Sequence, residues 1–310
     1  MRTNAPNTVP SKRRGLDLRK NWQKHVMMIP VLVILGLFCY VPMAGIAIAF
    51  QDYFPGNGFF GSRWVGLDWF EYMFSMPNFK QVVWNTLLLS FLKLVTGIFC
   101  SVLFALMLNE LQIKWLKSLF QSFALFPFFV SWVVLADIVQ DMASSEGLIN
   151  QIVFAITGQT IPFLTDTDWF TVLLVVSHIW KEVGYNAIII MAALTAIDHT
   201  LYEAATIDGA GRFQKIRYVT LPGIKNIVLV LLILALGGVM SAGFDQVYNL
   251  YNSTVMSGAD IIDTYVFRMG VNGGLWSLGT AVGVFKSVVG TILLAAAYWA
   301  AGKFAGYRIF

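Results

Sequence analysis

Six stretches of this chain, at 26–50, 82–108, 119–142, 169–197, 224–244 and 276–301, are long, apolar and nearly free of charge. A helix rises about 1.5 Å per residue, so about 20 apolar residues span a hydrocarbon layer of ~30 Å. A soluble domain of 310 residues has nowhere to hide so much apolar surface: 57% of the residues are apolar and 12% charged. Inside lipid every backbone N–H and C=O must be paired within the structure, which makes helices the expected form of each run. The expected class is therefore all-α, a polytopic membrane protein with six transmembrane helices. Pro30, Gly36, Pro42 and Gly45 in the first run do not oppose this, because membrane helices tolerate such residues.

Six spans place both termini on one side, and the basic residues choose which. Fifteen Lys and Arg fall in the 1–25 tail, at Lys114 and Lys117, in the segment after the fourth run, and at Lys303 and Arg308. Only Arg63, Lys80 and Arg268 fall in the alternate loops. The positive-inside rule makes the tail side cytoplasmic. The tail is then a topogenic segment and not a nucleic-acid arm. Residues 26–50 are too long for a signal-peptide core, although Ala47-Ile48-Ala49 has the form of a cleavage site. The expected organisation is a cytoplasmic tail at 1–25, a membrane domain at 26–302 and a cytoplasmic end at 303–310. The aromatic segment 51–80 suits a membrane interface, residues 148–156 have weak amphipathic spacing, and 245–275 is expected as a polar loop.

One cytoplasmic connection is more ordered than solubility demands. Residues 201–222 are LYEAATIDGAGRFQKIRYVTLP. Thr200 and Glu203 have capping-box spacing, which predicts a helix from Leu201 with Leu201, Ala204 and Ala205 on one face. Asp208-Gly209 is a stop signal. A second short helix is expected from Arg212, with Phe213 and Ile216 on one face and Pro222 closing the segment. Two small helices at a glycine elbow suit docking into another protein.

The spacing of Glu203, Ala204, Ala205, Gly209, Val219, Leu221 and Pro222 resembles the cytoplasmic EAA loop of ABC importer permeases, with Val219 where isoleucine is more usual. Asp208-Gly209-Ala210 resembles the carbohydrate-importer form. WQKHVMMIP, VPMAGIAIAFQDY, WNTLLLS, IWKEVGYNAIII and AVGVFKSVVG resemble segments of the oligosaccharide and polysaccharide permease subgroup. The resemblance implies the type I ABC importer permease fold, with a family core at about 82–301 and a coupling loop at 198–223. It implies a multi-pass protein of the bacterial inner membrane that imports oligosaccharides, uronate-containing ones among them. The implied partners are a second homologous permease subunit, two ATPase subunits and an extracytoplasmic solute-binding protein. Glu203, Ala204, Ala205, Asp208, Gly209, Ala210, Leu221 and Pro222 would then couple to the ATPase.

The chain has no phosphate-cradling G-x-x-x-x-G-K-[ST], no G-x-S-x-G and no H-E-x-x-H. Cys39 and Cys100 lie in apolar runs, and His25, His178 and His199 have no metal-ligand spacing. No enzyme activity and no cofactor are expected in this chain; ATP and Mg would be held by the partner ATPases. What remains is charge inside the spans: Lys93, Lys181, Glu182 and Lys286. A charge at mid-membrane is costly unless it faces a cavity or a partner. Two readings stand side by side. Glu182 answers one lysine across helices, or these groups line a translocation path with Trp180, Tyr185 and Asn186. Surplus lysines either meet an anionic substrate or bind backbone carbonyls at broken helices. Two further classes compete: an ion-coupled secondary transporter and a membrane enzyme. An ABC permease for a non-sugar solute competes within the class. The ordered loop weighs against the secondary transporter, and the lack of a nucleophile, metal or acid–base set weighs against the enzyme.

Overall fold

The computed structural model describes residues 22–304, so the expectations for the 1–21 tail and for 305–310 lie outside the described residues. The described residues divide into two compact units, 22–47 and 48–304. In the first unit, α1 (Trp22–Leu35) contains Pro30 and continues through a π-helical turn at Gly36–Tyr40. The wide turn precedes Pro42, which has no N–H to donate.

The second unit opens with a small antiparallel ribbon. β1 (Gln51–Asp52) pairs with β2 (Arg63–Trp64) in the register Gln51↔Trp64 and Asp52↔Arg63. Helices α2 (Asp68–Ser75) and α3 (Phe79–Glu110) follow. Next come α4 (Lys114–Phe129), α5 (Trp132–Ala143), α6 (Leu148–Thr157) and α7 (Thr167–Thr195). The connection after α7 contains α8 (His199–Ile207) and α9 (Arg212–Lys215), and α10 (Leu221–Gly237) leads to α11 (Phe244–Leu250). The chain ends with α12 (Ile262–Val266) and α13 (Trp276–Phe304). Among the described residues, five helical runs are long and apolar enough to cross a membrane, and a bent pair makes the sixth.

That bent pair corrects the expected third span. Residues 119–142 are not one helix: the chain turns by 108° between α4 and the run Trp132–Thr157 that begins with α5. Pro127 sits in the last turn of α4, and Val130 and Ser131 are extended. The ring of Pro127 removes one donor, and Ser131 accepts from Val134 N to start α5. The fifth span is corrected at both ends. Helical structure runs without a break from Arg212 to Gly237, so Pro222 does not close the loop. It occupies the first turn of α10, behind a π-helical turn at Ile216–Thr220 that shifts the bonding pattern ahead of the proline. At its other end the helix stops at Gly237, and a turn with Ala242 at φ 48° and Gly243 at φ 83° precedes α11. Residues 245–275 are mostly helical instead of a polar loop, and Ile261, Ile262, Thr264 and Tyr265 are buried there.

Packing follows the small residues. α7 is the central helix, flanked by α3 and α4. Gly184 on α7 lies against the α4 backbone so closely that a Cβ would stand 2.1 Å from Ala124 O. Close backbone approach is how membrane helices gain dispersion contact when lipid is as apolar as they are. One buried cluster joins Leu89, Val139, Phe170 and Leu174 to Val247 and Ile261. A second joins Met73, Phe79 and Val82 to Ile262, Tyr265 and Leu278. A third, nearer the connection from α7 to α10, joins Leu108 to Ile190, Leu194 and Ile224. On the outer face of α3, Trp84, Leu88, Phe91, Val95, Phe99, Leu103 and Met107 are exposed at helical spacing, as a lipid-facing stripe requires.

Candidate functional site

The connection from α7 to α10 is a tied structure. Asp198, not Thr200, is the N-cap of α8: its carboxylate accepts from Thr200 N at 2.9 Å, so the helix starts at His199 and the Thr200–Glu203 capping box is not formed. An aspartate two residues upstream outcompetes the threonine because its charged oxygen reaches the first free amides. That backbone bond holds the Asp198 carboxyl below the usual carboxylate range. The stop falls at Asp208-Gly209 as expected. Gly209 has φ 77°, with Gly209 N bonded to Thr206 O at 3.1 Å and Ala210 N to Ala205 O at 2.8 Å. This is a Schellman closure, and its left-handed residue favours glycine. Gly211 N donates to Gln214 Oε1 at 2.7 Å to begin α9.

Two side-chain bonds fasten α8 to the helix that follows. Lys215 Nζ donates to Thr206 Oγ1 at 2.8 Å, and Tyr202 OH lies 3.0 Å from Thr220 Oγ1. Glu203 and Ala204 face outward, while Ala205 and Ala210 are half-buried. Leu221 and Pro222 are exposed. The apolar surface of this elbow is larger than the small-residue face expected from the sequence: Ile207 and Phe213 are each 87% exposed, and Leu201 and Tyr218 are also open. Ile207 was missed. Its signal was a bulky aliphatic residue in the last turn of a helix, beside the stop.

The intramembrane charges are distributed otherwise than a set of cross-helix pairs. Lys181 is buried, and its Nζ donates to Pro127 O at 3.2 Å, to Phe128 O at 3.0 Å and to Val130 O. Phe128 O and Val130 O lie where α4 breaks, and Pro127 O also accepts from Val130 N at 3.2 Å, so the ammonium caps the break. The rings of Phe128 and Trp132 lie 5.9 and 5.5 Å from it. Lys93 does the same at the other break, donating to Ala242 O at 2.7 Å and to Gln246 Oε1. Gln246 in turn donates to Leu174 O at 2.7 Å and Ser177 Oγ at 2.8 Å, which ties α3, α7 and α11 together. Lys286 pairs with Asp263 of α12, a residue the sequence reading left within a polar loop. Glu182 makes no ion pair with any described residue.

Glu182 and Asn186 are half-buried on one face of α7, with His178 a turn away. Tyr185 stacks on Phe128 with centroids 4.2 Å apart and one face open, and Trp180 is exposed. Lys181 and Glu182 are neighbours in sequence that face different surroundings. Asp137, Asp141 and Asp245 are exposed. Among the described residues, no three His, Cys, Asp or Glu side chains gather as a metal-ligand set.

Residues 94–304 match the family described as binding-protein-dependent transport system inner membrane component. Protein LplB of Bacillus subtilis (strain 168) is 42% identical, over 96% of this chain and 98% of its own length. The polygalacturonan/rhamnogalacturonan transport system permease protein YteP of the same organism is 43% identical, over 94% of this chain and 92% of its own. Among solved structures, a chain of a bacterial alginate ABC transporter in complex with alginate pentasaccharide-bound periplasmic protein superposes with a TM-score of 0.87. It is 33% identical, over 96% of this chain and all of that one.

Proposed function

Since this chain belongs to the family of binding-protein-dependent transport system inner membrane components, we propose that it is the permease subunit of an ATP-driven importer of oligosaccharides, acidic ones included. The observation that carries the coupling role is the tied elbow at Asp198–Thr220: it exposes Ile207 and Phe213 while hydrogen bonds close its turn and fasten its two arms together. A rigid knob with an apolar tip is suited to sit in a cleft of a partner. ATP and Mg belong on two ATPase subunits, and a second permease completes the path. Substrate arrives from an extracytoplasmic binding protein. The relatives' names, polygalacturonan and rhamnogalacturonan for one and alginate for another, support an acidic oligosaccharide as cargo.

Within the spans, Glu182, Asn186, Tyr185 and Trp180 offer a carboxylate, an amide and aromatic faces toward the path, the chemistry that holds sugar hydroxyls and ring C–H faces. Lys93 and Lys181 act at the edge of that path by holding the two broken spans in place. Both termini lie in the cytoplasm, supported by the fifteen-to-three asymmetry of basic residues. The test is reconstitution of the whole complex with its binding protein and a panel of acidic and neutral oligosaccharides. Acidic oligosaccharides should stimulate ATP hydrolysis and uptake. Phe213→Asp or Ile207→Asp should leave the permease inserted and uncouple both. Normal uptake with either substitution would remove the docking role.

A further inference from the structure

The break that ends α10 at Gly237 leaves room beside α13. A cavity of ≈ 290 Å³ lies there, lined by Met240 and Ser241 of the turn and by Lys286, Ser287, Gly290 and Thr291 of α13. Lys286 is ten residues beyond the start of α13 at Trp276, about 15 Å along the helix and so near the middle of a ~30 Å hydrocarbon layer.

Three features separate this place from the other intramembrane lysines. Lys93 and Lys181 are 5% and 8% exposed, and their ammonium groups are engaged by backbone carbonyls. The side chains of Lys286 and Asp263 remain 23% and 21% exposed, and the ammonium has donors beyond the one on Asp263. Ser287 Oγ and Thr291 Oγ1 donate back along their own helix, to Gly283 O and Ser287 O, which leaves their lone pairs as acceptors. Nothing crowds the site: a Cβ at Gly290 would come no nearer than 3.7 Å to Met240, and one at Gly237 would meet nothing within 4 Å. A half-open ion pair at this depth needs water or a polar ligand beside it.

Resting on the importer reading above, we propose that this cleft is a hydroxyl-binding subsite for one ring of the transported oligosaccharide. Lys286, held by Asp263, donates to sugar oxygens, and Ser241, Ser287 and Thr291 take up the remaining bonds. The ion pair carries no net charge, so the subsite reads hydroxyls and not carboxylates. Neutral and uronate rings should therefore occupy it alike.

The test uses the complete complex in proteoliposomes, with Cys39 and Cys100 replaced by serine and either Ser287→Cys or Ser241→Cys introduced. A charged, membrane-impermeant thiol reagent enclosed on both sides is followed during ATP turnover. The probes are a galacturonate trisaccharide and a neutral galactose trisaccharide, each delivered by the binding protein. Both cysteines should be labelled, and either sugar should slow labelling at least threefold. Thr291→Val should raise KM for uptake threefold or more for both sugars and leave kcat unchanged. Absence of labelling would show a dry or lipid-covered surface, and labelling that is indifferent to sugars which stimulate ATP hydrolysis would show a wet cleft off the path. Either result overturns the subsite alone. Failure of every sugar to stimulate ATP hydrolysis would overturn the importer reading, and the subsite with it.

Discussion

Replacing Lys181 by methionine removes the ammonium that closes the α4 break and keeps most of the side chain's length. The structure gives three bonds to lose, to Pro127 O, Phe128 O and Val130 O, together with the rings of Phe128 and Trp132 above the charge. Hydrogen bonds to a charged group contribute about 1.5–3 kcal/mol each in soluble proteins, and interhelical bonds in membranes average about 0.6 kcal/mol. Three bonds therefore lie between about 2 and 9 kcal/mol, reduced by the several kcal/mol that burying the lysine itself costs. A net destabilisation of about 2–3 kcal/mol is expected, on the order of a hundredfold in the folding equilibrium. The assay is unfolding of the purified subunit by SDS in mixed micelles, followed by circular dichroism. Lys181→Arg should fall between the two, because a planar guanidinium cannot converge on three carbonyls as an ammonium does. A Lys181→Met subunit within about 0.5 kcal/mol of wild type would refute the capping argument, since substitutions away from special features stay in that range.

Gly184→Ala places a methyl group 2.1 Å from Ala124 O, where the obstacle is backbone. A loss of at least about 1–3 kcal/mol is expected, seen as a fall in monodisperse protein on fluorescence-detected gel filtration. Gly243→Ala adds a side chain at φ 83° and brings it 3.3 Å from Lys93 Nζ, so about 1–2 kcal/mol should be lost in the same SDS titration. Asp198 titrates lower in the folded protein than in the unfolded chain, where ~3.9 is usual. Its cap is therefore complete above that value and is lost as pH falls through the lower folded value. Hydrogen exchange at the Thr200 amide, referenced to intrinsic rates, should show constant protection from pH 7 to 5 and a decline in strong acid, with no such decline in Asp198→Asn.

The class of fold was legible because it rests on run length and polarity, which lipid enforces segment by segment. The stop at Asp208-Gly209 was legible for a similar reason: only glycine takes the left-handed turn cheaply, so its chemistry is local. The two helix breaks were not. Nothing near Val130 differs from a tolerated proline kink, and the group that stabilises the break, Lys181, is supplied from 51 residues away. Asp263 was hidden for the same reason, since its partner Lys286 lies on another helix. Pro222 misled because a proline seemed to end a segment, whereas the π-helical turn before it let the helix continue. The lysines stood out in the sequence as charges within apolar runs; their partners, which decide what they do, are tertiary facts.

That uninterrupted helix from Arg212 to Gly237 has a mechanical consequence. Its 26 residues make a rod of about 39 Å, with the apolar tip of the elbow at one end and the Gly238–Gly243 turn at the other. The Tyr202–Thr220 bond clamps the elbow to the rod, so the two turn together. A tilt of about 10° about one end would sweep the other by roughly 7 Å, more than one helical turn. A crank of this kind needs no relay of small side-chain shifts. Torque applied at Phe213 would arrive directly at the glycine turn, where Lys93 holds the Ala242 carbonyl.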